Sequence, residues 1–345
     1  MNMKQDDIQS KIRVAALTGG VKTPSARFRI RQHIDCLNER GISVQEHIPY
    51  FEKSCGLPSP FKAAARIPAL FRSRDADLIW LNKELVQGYP TFERLLKRPR
   101  VLDADDAIWL SHPLGCLAGK CIVSSMDAVI AGNNYLANYF EKYCSTVHMV
   151  PTAIDLKRYQ LRNMDTVDDA EKFTIGWTGL ACNYNQLDAI ADVLKSFLDD
   201  HSNAELLLVS NRPWKTSVIA PERIRFVQWS PEIEATALHP MSVGIMPLTD
   251  TKWTRGKCSF KMLQYMAAGL PVIVSPVGMN ADVLGKGEIG FAAASNDQWR
   301  QSLEALYRDC QLQITLGENG RSVIEQFYDA DKIANDLAGI FKSLV

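Results

Sequence analysis

The stretch Thr254-Arg-Gly-Lys-Cys-Ser-Phe-Lys-Met-Leu-Gln-Tyr-Met-Ala-Ala-Gly-Leu-Pro-Val-Ile-Val-Ser275 reads as a loop, a short helix, a tight turn and a buried strand. Ser259 is placed to cap the helix, because a serine hydroxyl accepts from a free amide of the first turn. Phe260, Leu263, Met266 and Ala267 recur at helical spacing and face a core. Gly269 ends the helix at a position where positive φ costs glycine nothing. Pro271 blocks any continuation, and Val272, Ile273 and Val274 form an apolar run suited to a buried parallel strand. The polar side carries Lys261 and Gln264, neighbours at a spacing of three. Arg255, Gly256 and Lys257 lie just ahead. Free amides at a helix start, the positive end of the dipole and three cations together make an anion site, most naturally for a diphosphate. A solvated polar face explains Lys261 and Gln264 on a lone helix, but it leaves the adjoining cations unexplained.

Working outward, 345 residues exceed one typical core and imply two domains. Lys plus Arg is 39 and Asp plus Glu is 39, so bulk charge gives no argument for a nucleic-acid partner. Hydrophobic residues at 46% and charged residues at 23% are ordinary for a soluble globular chain. The first residues, Met-Asn-Met-Lys-Gln-Asp-Asp, lack the apolar core of a signal peptide, and no apolar run is long enough to span a bilayer. The eight cysteines are scattered away from zinc-ligand spacing, so reduced, mostly buried thiols in a cytoplasmic protein are expected.

In the first half, Lys11 to Thr18 reads as a strand followed at once by Gly19-Gly20, which lets backbone approach a ligand closely. No G-x-G-x-x-G dinucleotide fingerprint follows. Ser25 is expected to cap a helix running to about Glu39. Arg27, Arg29 and Arg31 crowd its start, where cations meet the positive dipole end. A bound anion offsets that penalty; pairing with a carboxylate such as Asp35 is the alternative, equally strong for Arg31. Further strands are expected at Ile42 to Ile48, at Asp77 to Asn82 (ending on Lys83 and Glu84), at Arg100 to Trp109 and at Asp127 to Asn134. Asn134 is read as the next helix cap. Asp103, Asp105 and Asp106 lie toward the carboxyl end of the fourth strand, where open α/β sheets bind ligands, and His112 follows. Asp105 and Asp106 are read as contacts to a substrate hydroxyl or as general bases, one of the two serving equally well as a helix cap. Asp-x-Asp-Asp alone does not specify a metal, and none is expected. Phe61 to Arg74 is basic and apolar with no acid, a candidate membrane contact, although an ordinary packed helix interrupted at Pro68 fits it at least as well.

In the second half, Phe173 to Gly179 restarts a strand–loop–helix series. Leu187 to Leu198 is an amphipathic helix, and strands are expected at Glu205 to Ser210, Ile224 to Trp229 and Ser242 to Pro247. The polar run Arg162 to Lys172 is expected as a linker. The closing run from Phe327 is helical, with Ile333, Leu337, Ile340, Phe341 and Leu344 on one face.

Met262-Leu-Gln-Tyr-Met-Ala-Ala-Gly-Leu-Pro-Val-Ile-Val274 resembles the hallmark segment of family-four glycosyltransferases, retaining sugar transferases of the GT-B fold, of the kind found in bacterial polysaccharide biosynthesis. The resemblance implies an α/β chain of two Rossmann-like domains facing across a central cleft. Residues 1–152 would form an acceptor-binding domain, 153–326 a nucleotide-sugar-binding domain, and 327–345 a helix crossing back to the first. That family carries two glutamates separated by seven residues, the first on the donor sugar and the second on the ribose. Gly256 and Gln264 stand at those positions here, so one is lost and the other conservatively altered. The family also has an arginine and a lysine in and after the loop following Gly179, which Thr178 to Asn185 lacks. Arg255, Lys257 and Lys261 then supply the charge for the donor diphosphate beside Gly179, and Gln264 takes the ribose. Trp229 lies near the family's base-binding loop, or is a buried packing residue. Asp105, Asp106 and His112 are the implied catalytic group, with Gly20, Arg27, Arg29 and Lys83 lining the acceptor side.

The implied reaction moves a sugar from a nucleotide-diphosphate donor to an acceptor hydroxyl, on a glycan or lipid-linked glycan, with retention and without cofactor or metal. It would take place in the cytoplasm, with a membrane contact through Phe61 to Arg74 at the inner face. Two rivals share the fold: a sugar-nucleotide epimerase, and a non-catalytic nucleotide- or partner-binding protein.

Overall fold

The computed structural model describes residues 11–21, 23–50, 58–162 and 172–345. The first ten residues and most of the expected linker, 163–171, lie outside the described residues. The chain divides into two compact units. One comprises residues 1–153 with 330–345, the other residues 154–329.

The first unit holds a six-stranded parallel sheet of β1 (Ile12–Leu17), β2 (Ile42–His47), β3 (Leu78–Asn82), β4 (Arg100–Ala104), β5 (Ala128–Ala131) and β6 (Val147–Met149). Their spatial order is β2-β1-β3-β4-β5-β6. Every residue of β3, β4 and β5 is buried, as expected of central parallel strands covered on both faces. The helices are α1 (Ile34–Glu39), α2 (Ser59–Ala64), α3 (Ile67–Arg72), α4 (Gly115–Val123) and α5 (Asn134–Phe140). The strand expected to reach Trp109 stops at Ala104, and the chain turns through Asp105 and Asp106 into a short 3-10 turn at Ile108–Leu110. Asn133, not Asn134, caps α5, its side chain accepting from the Leu136 amide. Pro68 does not interrupt one helix; it sits in the first turn of α3, where its missing N–H has no intrahelical partner to lose.

The second unit contains β7 (Phe173–Gly179), β8 (Ala204–Ser210), β9 (Ile224–Gln228), β10 (Val243–Met246), β11 (Val272–Val274) and β12 (Gly290–Ala292). All run parallel in the order β12-β11-β10-β7-β8-β9. Its helices are α6 (Tyr184–Asp188), α7 (Ala191–Asp200), α8 (Lys252–Arg255), α9 (Phe260–Ala267), α10 (Met279–Leu284), α11 (Asn296–Arg308) and α12 (Cys310–Phe327). The last helix, α13 (Ala330–Leu344), belongs to the first unit. Its Ile333, Leu337, Ile340 and Phe341 enter that unit's core with Leu344 packed at the edge, and Phe341 meets Trp80 edge-on at 5.0 Å. Each such fully buried side chain contributes roughly 1.5–3 kcal/mol.

Each sheet reverses its winding once, between β1 and β3 in the first unit and between β7 and β10 in the second. The crevice beyond the carboxyl ends at such a reversal is where open α/β sheets take ligands. Gly19, Gly20 and Lys83 stand at one of these points, and Gly179 at the other.

Of the seven described thiols only Cys144 and Cys258 are buried, correcting the expectation of mostly buried cysteines. Cys116 and Cys310 are exposed positions on helices and Cys182 lies in the turn after β7, places where a short polar thiol needs no core partner.

His33 is buried just before α1, near the Ala330 backbone at the start of α13. Burial first, and then the Arg29 cation, lower its pKa from 6.5 to about 3. The folded chain therefore holds a neutral imidazole that the unfolded chain protonates near pH 6.5. Its stabilising contribution is present above that pH and is lost as pH falls toward 3, by up to about 1.4 kcal/mol per pH unit. We expect His33→Gln to flatten the acid limb of stability in urea melts across this window; an unchanged slope would refute the assignment.

Candidate functional site

The second unit's site is built from the ends of β7 and β10 and the start of α9. Tyr265, fully buried on α9, accepts a hydrogen bond at its hydroxyl from the Thr178 amide at 2.8 Å, tying the end of β7 to this helix. That amide is thereby already engaged within the protein. Gly179 follows with φ +157, and a Cβ there would lie 2.7 Å from Lys261 Cε and 2.8 Å from the Trp177 ring. Only glycine leaves room for Lys261 to cross this point. The Lys261 ammonium stands 4.6 Å from the centroid of the Trp177 ring, whose negative face attracts it. Burial, and secondarily the cation of Lys257, push its pKa down to about 8. Lys257 in turn lies 4.7 Å over Trp253. Two lysines close enough to repel each other at a helix start make a pocket of positive potential.

Ser259 corrects the expected cap. It occupies the N-cap position with φ 51, a left-handed conformation, and its side chain makes no cap hydrogen bond. Its hydroxyl donates instead to Asn280 Oδ1 at 2.7 Å, and Asn280 Nδ2 donates to the Ser275 carbonyl at 3.0 Å. This buried chain binds the start of α9 to the turn after β11. Gly278 completes the contact, since a Cβ at that residue would lie 2.7 Å from the Arg255 carbonyl oxygen. Arg255, expected at the diphosphate, is paired with a carboxylate. Its guanidinium holds Asp250 through two hydrogen bonds of 2.6 and 2.8 Å, from Nε and NH2. Such an exposed pair is worth only ~0–1 kcal/mol.

Gln264 is buried at 4% exposure, and its Nε2 donates to the Tyr159 hydroxyl at 2.6 Å. The expected ribose contact is therefore left to its Oε1. Tyr159 had no signal in the sequence; it lies in an irregular segment and owes its place to Arg321, which donates to its carbonyl at 2.7 Å. Trp229 is half-buried and donates from Nε1 to Glu234 at 3.3 Å.

In the first unit, the structure brings Lys83, Asp105 and Asp106 together and takes Arg29 away from them. Lys83 adopts φ 60, and its ammonium pairs with Asp105 at 2.7 Å and with Asp106. Burial opposes that charge, but the two aspartates outweigh it and raise the Lys83 pKa above the ordinary lysine value. Asp105 also accepts from the Ser25 hydroxyl at 2.8 Å, and Asn82 donates to that hydroxyl at 2.9 Å. Ser25 is thus no helix cap. The segment after it forms a π-helical turn at Ala26–Ile30, a 3-10 turn at Arg31–His33 and only then α1.

Arg29 does not line an acceptor site. It is 2% exposed and donates from Nε to Asp103 at 2.7 Å and from NH1 to the Val150 carbonyl at 2.9 Å. Arg31 pairs with Glu46 at 2.7 Å and holds the Gly20 carbonyl at 2.8 Å, so the protein's own carboxylates, rather than a bound anion, offset these charges. Gly20 is buried with φ 135 under that clamp. Arg27 is half-buried, with its guanidinium 4.7 Å from the Phe28 ring centroid. His112 is exposed beyond the 3-10 turn. Among the described residues no group of three or more His, Cys, Asp or Glu is placed to hold a metal ion, and Asp103 pairs with Arg29.

Lys83 and Ser259 are the only non-glycine residues with positive φ among those described. Each stands at one of the two candidate sites. A left-handed conformation costs an ordinary side chain roughly 1–2 kcal/mol, and such strain gathers where function requires it.

Residues 172–309 match the family described as "Glycosyl transferases group 1". A comparison with curated proteins finds no match. Among solved structures, the chain is similar to sucrose-phosphate synthase (tll1590) from Thermosynechococcus elongatus, with a TM-score of 0.76 at 15% identity over 97% of this chain and 99% of that one. It is similar to Anabaena Alr3699/HepE in complex with UDP and glucose, at TM-score 0.72 and 13% identity over 96% of this chain and 100% of that one. WaaG, a glycosyltransferase involved in lipopolysaccharide biosynthesis, gives 0.67 at 16% identity over 95% and 99%. At these identities the likeness establishes the fold, which is GT-B.

Proposed function

We propose that the chain is a GT-B glycosyltransferase that takes a sugar from a nucleoside-diphosphate donor and delivers it to an acceptor hydroxyl with retention. The observation that carries this reading is Lys261, poised over Trp177 beside Gly179 and next to Lys257 at the start of α9. A leaving nucleoside diphosphate gains negative charge as the glycosidic bond breaks, and fixed cations and helix-start amides act where that charge develops. Support comes from the family match across most of the second unit and from a structural neighbour solved in complex with UDP and glucose. In this reading Gln264 takes the ribose, no metal or cofactor takes part, and Asp105 and Asp106, held by Lys83, position the acceptor hydroxyl near His112. The acceptor is a glycan or lipid-linked glycan of a surface polysaccharide, met at the cytoplasmic face of the membrane.

A thermal-shift titration with UDP, GDP, ADP, dTDP and CMP tests the donor site. A ligand at a hundred times its Kd adds about 2.7 kcal/mol of stability. Selective stabilisation by one diphosphate supports the reading, and none by any of them rejects it. Gly256, standing where the family has its first glutamate, favours a second reading, a nucleotide-binding member that transfers no sugar. Release of free or transferred sugar from the cognate donor separates the two.

The membrane contact rests on α2 and α3. Phe61, Ile67 and Phe71 are 63%, 40% and 56% exposed, no residue of α2 is buried, and Lys62, Arg72 and Arg74 flank them without an acid. Arg66 is corrected as part of this surface, since it is buried and holds the Leu85 and Thr18 carbonyls at 3.0 and 2.6 Å. No helix among the described residues is long and apolar enough to cross a membrane. We expect co-sedimentation with phosphatidylglycerol vesicles that weakens about tenfold or more in a Phe61→Ser, Phe71→Ser variant. Equal pelleting of the variant and the wild type would remove the surface from consideration.

A further inference from the structure

We infer that Tyr159 and Glu234 are positioning residues that turn the Gln264 amide so that it offers an acceptor, and only an acceptor, to a ribose hydroxyl of the nucleotide. The inference rests on the donor reading above and adds how the altered position works. Tyr159, Glu234 and Gln264 are 2%, 5% and 4% exposed, so their polar groups depend on one another.

The Tyr159 hydroxyl accepts from Gln264 Nε2 at 2.6 Å, and the Glu234 carboxylate acts on the same phenol. Glu234 is also held by Arg158 at 3.1 Å and by Trp229 Nε1 at 3.3 Å, two donors that require a carboxylate able only to accept. A phenol has one proton. Burial first, and then the Glu234 charge, raise the Tyr159 pKa above the ordinary tyrosine value, so that proton stays on the oxygen at neutral pH. The buried Glu234 charge draws that proton to its own side, and the phenol oxygen accepts from Gln264. An amide's nitrogen and oxygen are distinguished by their partners, and here the partner admits only the nitrogen. Oε1 is then directed away from Tyr159, one helical neighbour from Lys261. A glutamate at this position would offer acceptors from either oxygen with no orienting partner. The glutamine matches its polarity only because the Glu234–Tyr159 pair holds it. Without that pair the amide is free to rotate and present donors instead.

The test is isothermal titration with whichever of UDP, GDP or ADP the wild type binds, against its 2′-deoxy and 3′-deoxy counterparts. We expect the wild type to prefer the ribonucleotide over at least one deoxy form by about tenfold. Tyr159→Phe should bring that preference close to unity while leaving affinity for the deoxy form within about twofold. Adding Gln264→Glu to Tyr159→Phe should restore it, because a carboxylate needs no orientation. Equal weakening of both nucleotides by Tyr159→Phe, as a purely structural role requires, would overturn the relay, as would an unchanged preference or a double variant that restores nothing. Binding with an unaltered ratio refutes the relay alone. Failure of every nucleotide to bind the wild type refutes the donor reading and the relay with it.

Discussion

Replacing Lys257 and Lys261 together by Met should weaken nucleoside-diphosphate binding by about 10²–10⁴-fold, from ~1.5–3 kcal/mol for each charge-assisted contact. Methionine keeps the apolar stem that Lys261 lays against Trp177 and removes only the charge. The loss should be far larger for the diphosphate than for the nucleoside, since the cations face phosphate in the proposed reading. The wild type should also show a pH dependence. With a Lys261 pKa of about 8 in the free protein, the cation is present below that value and is lost above it. Affinity should then decline as pH rises through 8, and bound diphosphate should move the inflection upward by favouring the charged amine. The double variant should lack this inflection. Titration calorimetry at pH 7 and pH 9 on both proteins is the check, and a variant that binds like the wild type would reject the assignment.

The Arg29→Met substitution should be the most destabilising change of charge in the first unit, at about 3–5 kcal/mol near neutral pH. It strands Asp103, which is fully buried and keeps only the Trp80 Nε1 donor at 3.2 Å. Burial already pushes the Asp103 pKa up against the pull of Arg29. Removing the arginine pushes it further, so the folded variant favours a protonated Asp103. A carboxyl whose folded pKa is raised contributes most at low pH and loses that contribution as pH rises. The deficit relative to the wild type should therefore shrink as pH is lowered. Exchanging both partners, Arg29→Met with Asp103→Leu, should cost less than Arg29→Met alone, because no charge is left unpaired. Urea melts of the two variants and the wild type at two pH values decide it. A double variant less stable than the single one would show that Asp103 is needed for its bond to Trp80 rather than for charge balance.

The second unit was the more legible in the sequence. From Phe260 to Val274 the helical spacing, Gly269 and Pro271 are local signals, and α9 and β11 lie where they point. Strands such as β3 and β10 were legible because apolar runs bounded by polar residues have few other uses in a parallel sheet. The helices α4, α6, α8 and α10 gave no comparable signal. They are short, with four to nine residues, and are held by tertiary contacts rather than by propensity.

Among the candidate site residues, the sequence marked Lys257 and Lys261 as an anion site and Asp105 and Asp106 as hydroxyl contacts or bases, while Lys83 entered only through the family resemblance. It could not tell which opposite charge each would meet. Arg29 finds Asp103, 74 residues away, and Arg31 finds Glu46 on β2, not the nearby Asp35. Ser25 and Ser259, both good caps by residue type, give their hydroxyls to Asp105 and Asn280. Tyr159 had no reading at all, because one tyrosine in an irregular segment looks the same whether or not it touches Gln264.

The sequence by itself determined the two parallel α/β layers, the apolar face of α13 and the presence of cations around the start of α9. These follow from periodicity and from residue types acting over a few positions. Only the tertiary structure decided which of the chain's cations are spent. Asp103 and Glu46 take Arg29 and Arg31, Asp250 takes Arg255, and Lys261 is held over Trp177. Ion pairing and hydrogen bonding depend on a few ångströms between residues far apart in the chain, a distance set only when the strands have found their order in the sheet.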